Sequence, residues 1–166
     1  MYISEIKEME YVYQKDHPQK VLYLEIDEKE DCIICIIDRG GHPCTYIKMP
    51  EEAYQRNVEL GWDGDRYLID VDVHGGVTYS DYGTLRFYPL GRDTDPTEIA
   101  HFGYWFGWDY AHFGDYEACY SISEYDYDLY KKWTIVELIN EAHEALKELK
   151  NNNWHVFVNN EEESDD

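Results

Sequence analysis

Residues 134–150 carry apolar side chains at Ile135, Leu138, Ile139, Ala142, Leu146 and Leu149. That spacing lays one stripe along a helix, so the segment predicts an amphipathic α-helix. Thr134 with Glu137 three positions later has the pattern of a capping box, and Asn151, Asn152 and Asn153 end the helix. Elsewhere the pattern is that of strands. Residues 21–27 and 32–38 read as two strands joined by a turn at 28–31, and the second is apolar on both faces, so it is central. Residues 39–43 (RGGHP) form a turn. Residues 44–49 make a third strand that Pro50 stops, and 51–57 make a short helix. Residues 67–73 (YLIDVDV) alternate cleanly and predict a half-buried strand that runs into His74-Gly75-Gly76. Residues 77–80 follow, with a further strand at 85–88, a polar loop at 92–97, and an aromatic strand at 102–108 interrupted by Gly103 and Gly107. Residues 1–10 fit a strand or a helical turn, and 154–158 a last strand. Strands first and a long helix last predict an α+β fold: an antiparallel or mixed sheet packed on one face by the long C-terminal helix.

At 166 residues and 43% apolar content the chain has material for one domain, expected over 1–158, with a disordered acidic tail at 159–166. The formal charge is −22, of which Glu161, Glu162, Glu163, Asp165 and Asp166 supply five. The remaining −17 repels nucleic acid and anionic membranes, so neither is an expected direct partner. No apolar run of about 18 residues is present to span a bilayer, and no apolar run follows a basic start. A cytoplasmic location is expected, with Cys32, Cys35, Cys44 and Cys119 reduced. Cys32 and Cys35 form a CxxC inside an apolar strand, where residues three apart face opposite ways, so the pair reads as core.

Two blocks carry candidate recognition chemistry. In His74-Gly75-Gly76-Val77-Thr78-Tyr79-Ser80, paired glycines allow a tight turn and close approach to backbone amides, and three hydroxyls follow. The same residues also suit a hairpin turn with a buried His. In residues 104–115 (YWFGWDYAHFGD), Tyr104, Trp105 and Trp108 beside glycine suit slots that stack a planar base. Asp109, His112 and Asp115 recur every third residue and are the candidate metal ligands, but no HExxH-like framework supports them. They equally suit a His held by carboxylates. Residues 93–130 hold nine acids, twelve aromatics and no Lys or Arg, so a phosphate would need Arg39, Lys48, Arg66, Arg86 or Arg92 from elsewhere. Walker A, GxGxxG and GxSxG motifs are absent, and no cofactor is expected.

These two blocks resemble those of a widespread family of small phage proteins, marked by HGG-(hydrophobic)-TYS and a later WW-x-GFDCAH-x-GD. Residues 41–50 (GHPCTYIKMP) are similar to that family's earlier G-x-x-C-x-Y-V-x-x-P segment, and the helix with Glu137 and Glu141 to its closing helix. The likeness covers most of 38–150. Tyr104, Trp108 and Tyr110 depart from the family's Trp, Phe and Cys, so the resemblance gives no support to a thiol mechanism. In size and style the chain is also similar to phage proteins that sequester the cyclic dinucleotide alarm signals of bacterial immunity (anti-CBASS sponges). The resemblance implies a shared site at His74, Gly75, Thr78, Tyr79, Trp105, Asp109 and His112.

The expected function is therefore capture of a small cyclic nucleotide in the host bacterial cytoplasm by a homo-oligomer, without catalysis. Gly76, Ser80, Tyr104 and Trp108 would complete the pocket, and Arg39, Lys48 and Arg86 would meet phosphates. Two alternatives stand beside it: an acidic nucleic-acid mimic that blocks a host defence nuclease, and a small metal-dependent hydrolase.

Overall fold

The computed structural model describes residues 18–112, 115, 131 and 133–156. Five strands, β1 (Lys20–Asp27), β2 (Cys32–Asp38), β3 (Pro43–Lys48), β4 (Tyr79–Phe87) and β5 (Thr97–Asp109), form one sheet in the order β1-β2-β3-β5-β4. Every neighbouring pair is antiparallel. With helices α1 (Glu51–Glu59) and α2 (Ile135–Asn151) the chain is of the α+β class.

The sheet is buried on two sides. β2 alternates its side chains between two clusters: Cys32, Ile34 and Ile36 face α2, whereas Ile33, Cys35 and Ile37 face the opposite side with Tyr46, Leu85 and Trp105. Cys32 and Cys35 thus lie on opposite faces of the sheet, as their spacing in a strand requires. α2 buries Ile135, Leu138, Ile139, Ala142, Ala145, Leu146 and Leu149. Each Leu or Ile so buried is worth about 1.5–3 kcal/mol, which fixes the helix across the sheet. Thr134 caps it: its side chain accepts from Glu137 N, and the Glu137 side chain accepts from Thr134 N, as a capping box requires.

Three sequence readings need correction. Residues 67–73 do not pair in the sheet; a 3₁₀ turn (Arg66–Leu68) leads into unpaired extended chain. Ile69 and Val73 are buried and Asp70 and Asp72 exposed, so the alternation is real, but the segment lies along α2. Its backbone is held by helix side chains: Asp72 N donates to Glu148 Oε2 at 3.1 Å and His74 N to Glu141 Oε2 at 3.0 Å. Second, residues 79–87 form one strand with a register shift between Gly83 and Leu85, rather than two pieces. Third, residues 154–156 are not a strand. Asn153 and Trp154 take positive φ (58° and 55°), and the chain turns back onto α1. The predicted N-terminal element, Cys119 and the acidic tail fall outside the described residues.

Candidate functional site

The two sequence blocks meet at one end of the sheet. Thr78 N donates to Gly107 O at 2.9 Å, which extends the β4–β5 pairing by one step and sets the glycine turn beside the end of β5. Gly75 and Gly76 both have positive φ (70° and 79°), a backbone state that other residues rarely adopt. At Gly75 the reason for glycine is also steric: a Cβ there would lie 2.1 Å from His112 Nε2. The turn is therefore built around the His112 ring.

Three carboxylates organise the cluster. Asp115 is 5% exposed and takes three donors. Its Oδ2 accepts from His74 Nε2 at 2.6 Å and from His112 N at 3.0 Å, and its Oδ1 accepts from Trp133 Nε1 at 2.9 Å. Asp109 accepts from Thr78 Oγ1 at 3.1 Å and from Ala111 N at 3.0 Å. His112 Nε2 lies 3.1 Å from Asp109 Oδ1, but the approach lacks hydrogen-bond geometry, so this is a close contact and not a made hydrogen bond. Glu141, on α2, accepts from His74 N, from Trp108 Nε1 at 3.2 Å, and from the Tyr110 hydroxyl. Burial and then the Glu141 carboxylate push the Tyr110 hydroxyl well above its ordinary range, so it stays protonated and donates.

Aromatic rings fix the His74 imidazole. It stacks on Tyr110 with a centroid distance of 5.1 Å and an interplanar angle of 6°, and meets the Trp133 ring edgewise at 4.9 Å. His112 stands 5.6 Å away, centroid to centroid. The result is two imidazoles, each beside its own carboxylate, under a turn whose Gly75, Gly76 and Thr78 are exposed. Asp109, His112 and Asp115 do not converge on one point: Asp115 serves His74, and Asp109 faces His112. Among the described residues no three His, Cys, Asp or Glu form a metal-ligand group.

The remaining predicted residues have other placements. Tyr104, Trp105 and Trp108 are 3%, 0% and 1% exposed and pack in the core instead of lining an open slot. Tyr104 stacks on Tyr54, and its hydroxyl donates to Gly64 O at 2.8 Å. Tyr79 meets the Tyr46 ring edgewise, and Ser80 is half-buried in β4. Lys48 is buried and bonded to Asp31 Oδ1 at 3.1 Å. Arg86 is exposed and paired with Glu98 at 3.3 Å. Arg39 donates to the Tyr46 hydroxyl at 2.8 Å, to Gln19 Oε1 at 3.1 Å and to Arg86 O at 2.7 Å. Lys48 and Arg86 are thus committed to carboxylates.

Sequence reasoning gave Glu141, Tyr110 and Trp133 no role at this site. Glu141 carried one signal, its place on the helix that resembles the phage family's closing helix. The other two look in sequence like any aromatic residue.

Comparison of the chain with models of protein families, with curated proteins and with solved structures yields no match.

Proposed function

We propose that this is a phage counter-defence protein that captures a small cyclic nucleotide signal and holds it uncleaved, as a homo-oligomer in the host bacterial cytoplasm. One observation carries the reading: the two blocks that resemble the phage family, far apart in sequence, meet around the His112 ring. An exposed rim of Gly75, Gly76 and Thr78 borders Asp109, His112 and His74. Asp109 and the Thr78 hydroxyl are suited to the amino and imino edge of a base. With Trp105 and Trp108 inside the core, hydrogen bonding to the base edge replaces the stacking expected from sequence. Three carboxylates make this cluster a poor phosphate site, so contact there is with the base.

Isothermal titration with a panel of cyclic mono- and dinucleotides tests the reading, followed by mass spectrometry of the recovered ligand. Saturable binding, lost in Asp109→Asn and Thr78→Ala, with the ligand returned intact, supports it. Absence of binding to every member removes it.

A second reading, a small hydrolase, draws on the 2.6 Å contact between His74 and buried Asp115. A carboxylate that holds an imidazole in one orientation is what a general base needs. In that case the same incubation returns a cleaved ligand.

A further inference from the structure

The β2–β3 turn and the loop between β4 and β5 enclose a cavity of about 600 Å³. That volume falls in the range of small-molecule sites, roughly 300–1,000 Å³. Arg39 and Arg92 line it with His42 and Tyr88, and Asp93 is the one acid in the lining. In a chain with 36 acidic and 14 basic residues, two guanidinium groups share this wall, and neither pairs with a carboxylate among the described residues.

Arg39 is set rigidly. Its Nε and Nη1 are bonded as described above, and its guanidinium lies 5.0 Å over the Tyr46 ring. Among the described residues no oxygen accepts from its Nη2, and the guanidinium also lies beside the buried Cys44 thiol. Arg92 reaches across from the other loop and donates through Nη2 to Arg39 O at 3.3 Å, which brings the two arginines together. An arginine whose plane is already fixed loses little entropy when it binds an oxyanion. Burial lowers the pKa of His42, so that ring is a neutral hydrogen-bonding wall at pH 7.

We propose that this cavity binds a phosphate group, with Arg39 as the fixed donor and Arg92 as the adjustable one. The site lies on different loops from the His74–His112 cluster and does not depend on nucleotide capture there.

Titration with inorganic pyrophosphate and with adenosine 5′-monophosphate, followed by NMR shifts and calorimetry at 20 and 200 mM salt, tests it. Saturable, salt-sensitive binding is expected, weakened at least tenfold in Arg92→Glu. Arg92 is exposed, so that variant keeps its fold, which circular dichroism verifies. Binding that Arg92→Glu weakens belongs to this cavity, because Arg92 takes no part in the His74–His112 cluster. Binding of the nucleotide but not pyrophosphate assigns the site to a nucleotide's phosphate, and binding of both assigns it to phosphate as such. Failure of both probes to saturate, or equal binding by Arg92→Glu, overturns the proposal.

Discussion

His74 Nε2 lies 2.6 Å from Asp115 Oδ2, and Asp115 is one of the few buried acids among the described residues. The carboxylate accepts from His74, His112 and Trp133, so all three groups depend on it for position. Asp115→Asn replaces one acceptor oxygen with an NH₂. Whichever way the amide turns, at least one donor then faces another donor. A buried polar group left unsatisfied costs about 1–3 kcal/mol. Urea unfolding should show a loss of that size, and the His74 ring resonances should move. A variant as stable as the parent, with an unmoved His74, would show that Asp115 does not organise the cluster.

Gly75 and Gly76 look alike in sequence and differ in space. Both have positive φ, which costs an alanine about 1–2 kcal/mol. At Gly76 nothing lies within 4 Å of an added Cβ, so Gly76→Ala should cost that amount and no more. At Gly75 three His112 ring atoms would lie at 2.1, 2.4 and 2.7 Å. The ring must move, so Gly75→Ala should be clearly less stable than Gly76→Ala and should shift the His112 signals. Chemical denaturation and histidine NMR read both. Equal losses would mean that the His112 ring yields freely.

What was legible in the sequence is what periodicity encodes. The capping box at Thr134, the two-faced burial of β2 and the opposed Cys32 and Cys35 follow from spacing alone. Residues 67–73 show the limit. Alternation records which side chains are buried but not what the backbone bonds to. Here the amides of Asp72 and His74 are met by Glu148 and Glu141, about 70 positions away. The same limit applies to Tyr104, Trp105 and Trp108: residue type supplies a large ring, but only the sheet's pairing decides that the ring points into the core. Glu141 was invisible as an organiser because a helix pattern gives a face, and its partners arrive from the HGG turn and β5.

Lys48 predicts a pH effect. It is 6% exposed and meets Asp31 Oδ1 at 3.1 Å, at the start of α1, where Asp31 Oδ2 also accepts from Glu51 N at 2.8 Å. Partial burial alone would raise the Asp31 pKa, but the bonds from Glu51 N and Lys48 outweigh it and hold the carboxyl below its usual range. A depressed folded pKa stabilises above the unfolded value, near 3.9, and that stabilisation is lost as pH falls through the folded value. Asp31→Asn keeps the positive φ of 55°, which Asn tolerates, and removes the charge. The stability gap between parent and variant should be constant above about pH 5 and should close on acidification below roughly 4. A gap that persists at low pH would assign the effect to the amide's shape and not to the charge.

Asn57 is fully buried and joins α1 to the chain that leaves α2. Its Nδ2 donates to Ala53 O and to Trp154 O, both at 2.8 Å, and its Oδ1 accepts from Val156 N at 3.0 Å. Arg56 adds a bond to Asn153 O at 2.6 Å from the surface side. Asn57→Ala removes three bonds and leaves Trp154 O and Val156 N without partners in a buried place, each worth about 1–3 kcal/mol. Asn57→Asp keeps the acceptor for Val156 N and sets its second carboxylate oxygen against Ala53 O and Trp154 O. Hydrogen exchange at residues 154–156 should therefore accelerate in both variants, and the Val156 amide should exchange faster in Asn57→Ala than in Asn57→Asp. Retained protection of Val156 in Asn57→Ala would show that the segment is held by the burial of Trp154 and Val156 rather than by Asn57.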